Sequence, residues 1–169
     1  GAFDPSEIHK WAKRAADILP NNPDVYCLTI DGSASGVGGL NAIGSLPSFN
    51  YSEGQFANWE KISGETMTKS ILKKRDTCFG CVVRCKRIVE TEYKEEKVIT
   101  RYGGPEYESI AALGCYCGID DLNAIALANQ LCNMYGLDTI STGATIAFAM
   151  DCFRHGLITA ADTDGIDLQ

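Results

Sequence analysis

Residues 120–143 read DDLNAIALANQLCNMYGLDTISTG, and the predicted fold class depends mainly on this pattern. Asp120 is a typical helix-capping residue, and the apolar pattern behind it continues to Gly136, a typical helix end. A further helix is predicted over about residues 140–155, closed by Gly156. The inward-facing positions of the first of these helices are predicted to be Leu122, Ile125, Leu131 and Met134. The chain is therefore predicted to be mainly α.

The first thirty residues predict a helix followed by a second apolar segment. Asp4-Pro5-Ser6-Glu7 combines a capping Asp, a proline in the first turn and a capping-box Glu. The helix is expected to end at residues 20–23, where two prolines lie, and a shorter apolar segment continues to Ile30. One face of the helix is predicted to carry Ile8, Trp11, Ala12, Ala15 and Leu19.

The middle of the chain predicts shorter elements. Residues 31–39 are rich in glycine but do not complete a phosphate-binding GxGxxG pattern, so they favour a hinge or a close helix approach. Ser63-Gly64-Glu65 predicts the start of a helix that continues to about Lys74. Residues 89–93 and 98–102 flank a charged turn and predict a β-hairpin, and residues 105–113 predict a short helix. Residues 1–169 are thus predicted to form a single multihelical domain with one small β-hairpin.

The composition indicates a folded domain with an acidic net charge. The chain has 169 residues, about the length of one domain, and 45% of them are hydrophobic. The formal net charge is −7, which argues against nucleic-acid binding and against docking on anionic lipid. Apolar runs fall short of the roughly 18 residues that a membrane span needs. The first residues lack the pattern of a secretion signal, so a cytoplasmic, reducing location is expected.

Eight cysteines are many for this length, and three of them form the motif Cys78-x-x-Cys81-x-x-x-Cys85. Thiolates at these spacings can bind three corners of a 4Fe–4S cluster from one tight turn. Zinc is the alternative metal, with Cys115 and Cys117 as a second pair of unusual spacing. Basic residues surround the motif and would favour thiolates: Lys73, Lys74, Arg75, Arg84, Lys86 and Arg87.

The remaining cysteines lie on apolar segments, where a buried packing role is expected. They are Cys27, Cys115, Cys117, Cys132 and Cys152. The residues alone therefore leave a cluster at the motif without an evident fourth ligand.

Including the cysteine motif and parts of the helical stretch quoted above, the chain carries five short segments in a specific order. They are Leu46-Pro47-x-x-Asn50, Asp76-Thr77-Cys78-x-x-Cys81-x-x-x-Cys85, Gly104-Pro105-Glu106-Tyr107-Glu108, Asp120-Asp121-Leu122, and Asn133-x-x-Gly136-Leu137-Asp138-Thr139-Ile140-Ser141-Thr142-Gly143. This combination resembles the tungsten-containing aldehyde:ferredoxin oxidoreductase family over about residues 23–156. The resemblance implies that residues 1–169 are the middle helical domain. The family's β-rich N-terminal domain and last helical domain are expected to be absent from this chain.

The resemblance implies an enzyme that oxidises aldehydes to carboxylic acids at a tungsten bis-pterin (tungstopterin) cofactor, with electrons passing through a 4Fe–4S cluster to ferredoxin. Cys78, Cys81 and Cys85 would then be three cluster ligands, and the family's fourth cysteine lies in its last domain. Glu108 is the predicted active-site carboxylate, with Glu106 as the second choice. The pterin-binding segment is predicted to comprise Asn133, Gly136, Leu137, Asp138 and Thr139, and Asn133 stands where the family often has Asp.

Two other functions remain open at this point. A stand-alone helical module could bind zinc or a cluster and dock a partner, without chemistry of its own. A subunit of a related tungstopterin reductase could use the same cofactor for another reaction. The isolated 169 residues are expected to be inactive, because other domains of the parent polypeptide would complete the cofactor site.

Overall fold

The fold is mainly helical, as the sequence predicted. The computed structural model describes residues 4–169. These residues form seven α-helices: α1 (Pro5–Ile18), α2 (Pro23–Asp31), α3 (Gly36–Ala42), α4 (Gly64–Ser70), α5 (Tyr107–Leu113), α6 (Leu122–Tyr135) and α7 (Thr139–Arg154). Four short strands form two separate antiparallel pairs: β1 (Leu72–Asp76) with β2 (Lys86–Val89), and β3 (Thr91–Tyr93) with β4 (Glu96–Val98). The structure thus confirms the predicted class and hairpin, and it adds a second strand pair.

Capping residues fix the ends of the long C-terminal helices. Gly136 ends α6 in the left-handed conformation (φ +69°), which glycine adopts without strain. Asp138 begins α7. The predicted cap Asp120 is off by one residue, because Asp121 is the N-cap of α6. The carboxylate of Asp120 is paired with Lys61 instead.

Two of the residues predicted to face the core from α6 are on its outer side. Leu131 is 40% exposed and Met134 is 42% exposed, whereas Leu122 and Ile125 are buried. Leu131 follows Leu122 by nine residues, which is about two and a half turns at 3.6 residues per turn, so it points away from the core. The prediction was wrong here because it followed apolar character rather than helical angle.

The predicted apolar face of α1 is not buried against any other segment of residues 4–169. No residue of α1 is buried, and the side chains of Ile8 and Trp11 are more than half exposed. Asp4 caps the start of this helix as predicted, but the packing of its apolar face inside this chain was not predicted correctly.

The helix that begins at Ser63 is shorter than predicted. It ends at Ser70, and residues 72–74 belong instead to β1. β1 pairs antiparallel with β2, with Arg75 opposite Arg87. This pairing joins residues that are distant in sequence, and such tertiary pairing overrides local helix propensity.

The second strand pair is the predicted hairpin, with a tighter turn. Tyr93 pairs with Glu96, so the turn consists of Lys94 and Glu95 alone. Both residues have positive φ angles, 47° and 70°, as two-residue hairpin turns with the twist of the flanking strands require. The hairpin lies against α6, where the Thr91 hydroxyl donates to the Asn123 side chain (2.7 Å).

The glycine-rich segment includes a close approach, one of the two predicted alternatives. A Cβ atom added at Gly38 would lie 2.7 Å from the ring of Trp59.

Among residues 4–169, no single helix is long and apolar enough to cross a membrane. In this described part of the chain, one pair of helical segments is together long and apolar enough for a membrane span, but the pair is bent by 117°. The two segments are Tyr107–Cys117 and Leu122–Tyr135.

The core is centred on α5, whose residues 109–113 are all buried. The contact between α5 and α7 depends on Gly143, since a Cβ atom there would lie 2.4 Å from the carbonyl carbon of Ala112. The two helices can therefore approach this closely only if the position carries no side chain.

Replacing Gly143 by valine is expected to lower the free energy of unfolding by about 3 kcal/mol, the upper part of the usual range for overpacked sites. Denaturant unfolding followed by circular dichroism measures this change. The matched control is Gly39→Ala in α3, where open space surrounds the added Cβ atom and the change should be neutral or stabilising. Wild-type stability of Gly143→Val would contradict the close α5–α7 contact.

Candidate functional site

Residues 77–85 connect β1 to β2, and this cysteine loop carries all three residues of the motif. Cys78 is exposed, whereas Cys81 and Cys85 are half-buried. The N–H of Cys81 donates to the carbonyl of Cys78 (3.1 Å), and the Thr77 hydroxyl donates to the carbonyl of Cys81 (2.6 Å). The strand pair therefore carries all three cysteines on the connection between its two strands.

Cys81 and Cys85 of the cysteine loop have different surroundings, which shift the pKa values of their thiols in opposite directions. The backbone N–H groups of Val83 and Arg84 hydrogen-bond Cys81 and lower the pKa of its thiol. Burial raises the pKa of the Cys85 thiol, and the negative charge of Glu106 adds to that effect. Amide donors aimed at sulfur are what an anionic thiolate or cluster requires, so the loop is best prepared for a bound ligand at Cys81.

The donor set suits an iron–sulfur cluster. Within residues 4–169, no group of three or more His, Cys, Asp or Glu side chains is placed to hold a metal ion together. The irons of a 4Fe–4S cluster each take one thiolate, so the ligands need not converge on a point. Three cysteines of one loop, with amide N–H donors at one sulfur, are consistent with this arrangement.

Two side chains outside the cysteine motif attach the loop to α2. The Thr29 hydroxyl donates to the carbonyl of Val83 (2.7 Å). The Arg87 guanidinium donates to the carbonyls of Cys85 (3.1 Å) and Ile30 (2.7 Å). In the sequence, Arg87 is only one of several basic residues around the motif, and Thr29 carries no signal of this role. β2 turns Arg87 inward beside the exposed Lys86, but the strand sequence Lys-Arg-Ile-Val does not alternate polar with apolar residues and gave no signal for this.

The predicted pterin segment forms the exposed corner between α6 and α7. Asn133, Gly136, Leu137 and Asp138 are exposed, and Thr139 is half-buried. The side chain of Asn133 donates to the carbonyl of Asn129 (2.9 Å). The carboxylate of Asp138 accepts from the Ser141 N–H (2.7 Å), and the side chain and then the backbone N–H of Ser141 lower the pKa of Asp138. The corner is thus open on its outer side while its carboxylate caps α7.

The two candidate carboxylates have different surroundings. Glu106 precedes α5 and accepts a hydrogen bond from the hydroxyl of Ser33, a residue that the sequence analysis did not single out. The same hydroxyl accepts from the Tyr107 N–H (2.9 Å). Glu108 lies in the first turn of α5 and is exposed. The carboxylate of Glu106 is therefore hydrogen-bonded to Ser33 inside the chain, whereas the carboxylate of Glu108 lies at the surface.

α5 brings the separate predicted segments into one region. Its N-terminal end carries Glu106, whose charge acts on Cys85 of the cysteine loop. One turn later, the Ser109 hydroxyl bonds that of Thr139 at the start of α7 (2.9 Å). The cysteine loop, Glu108 and the pterin corner are thus all linked through this one buried helix.

Within residues 4–169, the other cysteines form no group that is placed to hold a metal ion. Cys115, Cys117 and Cys132 are buried, as predicted. Burial raises the pKa of Cys115 to about 12 and that of Cys117 to about 11, so both remain neutral thiols in the core. Cys27 is exposed and Cys152 is half-buried, so the burial prediction was wrong for Cys27.

A cavity of about 560 Å³ lies apart from these residues. It is lined by Phe49, Asn50, Tyr116, Ala147, Asp151 and Arg154, among others, and by none of the predicted site residues. Its polar groups bond one another, since the Asn50 amide and the Arg154 guanidinium both donate to the carboxylate of Asp151. The cavity therefore does not contribute to the predicted site.

A family model and several curated proteins that resemble this chain carry the same description. A family model described as aldehyde ferredoxin oxidoreductase, domains 2 and 3, matches residues 10–169. The chain is 40% identical over 128 residues to a tungsten-containing aldehyde ferredoxin oxidoreductase of Thermococcus kodakarensis, covering 76% of this chain and 20% of that protein. A protein of the same name from Pyrococcus horikoshii is 40% identical over 134 residues, covering 79% and 21%.

A more distant relative carries another name. The aliphatic sulfonate oxidoreductase, WOR-like subunit, of Pyrococcus furiosus is 30% identical over 118 residues, covering 70% of this chain and 19% of that protein. The chain spans about a fifth of the length of the curated relatives that it matches.

Proposed function

Because this chain belongs to the aldehyde ferredoxin oxidoreductase family, we propose that it is the cofactor-binding helical part of a larger enzyme that oxidises aldehydes to carboxylic acids. The cysteine loop binds a 4Fe–4S cluster, and the α6–α7 corner contacts the pterin of a tungsten cofactor. Ferredoxin accepts the electrons, and other domains complete the site.

The cysteine loop is the observation that carries the proposal. It holds Cys78, Cys81 and Cys85 between two paired strands, and the neighbouring backbone N–H groups of Val83 and Arg84 lower the pKa of the Cys81 thiol. A metal-bound thiol is deprotonated, so cluster binding would also overcome the raised pKa of Cys85.

The chain's other residues would bind and orient the organic part of the cofactor and the substrate. The amide of Asn133 can both donate to and accept from a pterin edge, and it lies on the exposed corner. Glu108 would hold or move a proton at the substrate, because its carboxylate is exposed in the first turn of α5. When bound, the tungsten cofactor supplies two-electron chemistry and the cluster carries single electrons.

Metal analysis of the full-length protein, purified without oxygen, tests this proposal. About four irons per chain, together with tungsten and the paramagnetic signal of a reduced cluster, are expected. Stoichiometric zinc without iron would favour the stand-alone module and contradict the proposal.

A related reductase function is the second candidate, and the similarity to the aliphatic sulfonate oxidoreductase subunit favours it. That similarity is 30%, against 40% for the aldehyde enzymes. Turnover of aliphatic sulfonates but not of aldehydes by the full-length protein would select it.

The isolated 169 residues are expected to show no aldehyde-dependent reduction of a viologen dye. The described residues supply three cysteines at the loop and one side of the pterin site, so a reactive tungsten centre needs ligands from outside. The dye assay on the purified chain, reconstituted with iron and sulfide, measures this. Dye reduction at the rate of the full-length enzyme would contradict the division of the site among domains.

A further inference from the structure

Arg87 is the largest side chain that is fully buried in the described part of the chain, with 1% of its surface exposed. It lies on β2, two residues after Cys85 of the cysteine loop. A buried charge is costly unless hydrogen bonds satisfy it, so this position needs a structural explanation.

Four carbonyl oxygens surround the guanidinium of Arg87. Two belong to the end of α2, at Thr29 (3.1 Å) and Ile30 (2.7 Å). The other two belong to the cysteine loop, at Arg84 (2.5 Å) and Cys85 (3.1 Å). Arg87 therefore ties the backbone at Cys85 to a helix end, where carbonyl groups present partial negative charge.

Two glycines leave room for this side chain. A Cβ atom at Gly32, which has a φ of +75°, would lie 3.0 Å from the carbonyl oxygen of Cys85 and 3.1 Å from the Cγ atom of Arg87. A Cβ atom at Gly104 would lie 3.2 Å from the Cβ atom of Arg87. The surrounding backbone is thus shaped around the arginine.

The charge of Arg87 is not cancelled by a direct ion pair. None of the salt bridges found within residues 4–169 includes it. An arginine stays protonated in proteins. The other basic residues near the loop are exposed and screened by water and salt: Lys73, Lys74, Arg75, Arg84 and Lys86.

We propose that Arg87 is a positioning residue for the iron–sulfur cluster, which fixes the backbone at Cys85 and supplies a buried positive charge that raises the cluster's reduction potential. This inference rests on the proposed function. Reduction adds one negative charge to the cluster, so a fixed cation nearby stabilises the reduced form. The role does not require Arg87 to contact the substrate.

The test compares Arg87→Met and Arg87→Lys with Lys86→Met in the full-length enzyme. Lys86 is the neighbouring residue and carries the same charge, but it is exposed. Iron content and the midpoint potential, from a dithionite titration followed by electron paramagnetic resonance, are the two measurements. Circular dichroism shows whether each variant is folded.

Arg87→Met is expected to lose iron and to shift the potential of the remaining cluster to more negative values. Lys86→Met should shift it less. Arg87→Lys retains the charge but not the four hydrogen bonds, so it should lose iron while the remaining cluster keeps a potential close to that of the wild type. If Arg87→Met does not fold, Arg87→Lys decides, and full iron content in that variant would overturn the positioning role.

Wild-type iron content and potential in Arg87→Met, or an equal shift in Lys86→Met, would overturn the inference. These results leave the proposed function intact, because the wild-type enzyme would still contain its cluster. A wild-type enzyme without iron would instead refute the proposed function itself.

Discussion

Replacing Cys78, Cys81 and Cys85 together by serine is expected to remove the iron–sulfur cluster and the aldehyde oxidation of the full-length enzyme. Serine hydroxyls do not ionise near neutral pH and are poor ligands for iron in such clusters, which are held by thiolates. A single remaining ligand from another domain could not retain the cluster. Iron analysis, the signal of the reduced cluster and the viologen assay measure the loss.

Single variants should reveal unequal contributions from the three cysteines. Cys81→Ser is expected to be the most damaging, because nearby backbone N–H groups lower the pKa of the Cys81 thiol and so favour its thiolate. Cys27→Ser is the matched control, since Cys27 is exposed on α2 and outside the cysteine loop. Full cluster occupancy and turnover in the triple variant would refute the assignment of the loop.

Helix ends were predictable from the sequence because capping depends on a few neighbouring residues. Asp138 and Gly136 define the α6–α7 corner through their own side chain or backbone conformation. The cysteine loop was predictable for the same reason, since its spacing places three thiols within one turn. These features do not depend on what lies elsewhere in the chain.

Contacts between distant segments were not predictable in this way. β1 forms because it pairs with β2 across the cysteine loop, and this pairing has no local signal strong enough to outweigh the helix pattern. The burial of Arg87 likewise requires carbonyl groups from α2, more than fifty residues earlier in the chain. The exposure of the apolar face of α1 was also not predicted. Periodicity identifies an apolar face but does not identify the segment that packs against it.

The arrangement of the candidate site has the same origin. Ser33 and Glu106 are 73 residues apart, yet their hydrogen bond helps to place the start of α5 beside the cysteine loop. Ser109 and Thr139 then connect α5 to the pterin corner. The sequence could name these segments in order, whereas their meeting on α5 depends on tertiary packing.

Glu108→Gln is expected to lower aldehyde oxidation by the full-length enzyme about 100- to 10,000-fold, the usual contribution of a general acid or base. Glutamine has nearly the same shape but cannot take up or release the proton. The cluster should remain, because Glu108 lies outside the cysteine loop. Iron content and the reduced-cluster signal should therefore equal those of the wild type while turnover falls.

Glu106→Gln separates the two carboxylates, which differ by only two positions. Its amide oxygen can still accept the hydrogen bond from Ser33, so the start of α5 should be preserved and the loss of turnover should be smaller. Removing a negative charge that acts on Cys85 should instead shift the cluster potential to more positive values. Glu92→Gln, on the exposed hairpin strand β3, controls for the loss of a carboxylate. If Glu106→Gln lost turnover while Glu108→Gln retained it, the proton-transfer role would belong to Glu106, and the contact with Ser33 would orient that carboxylate.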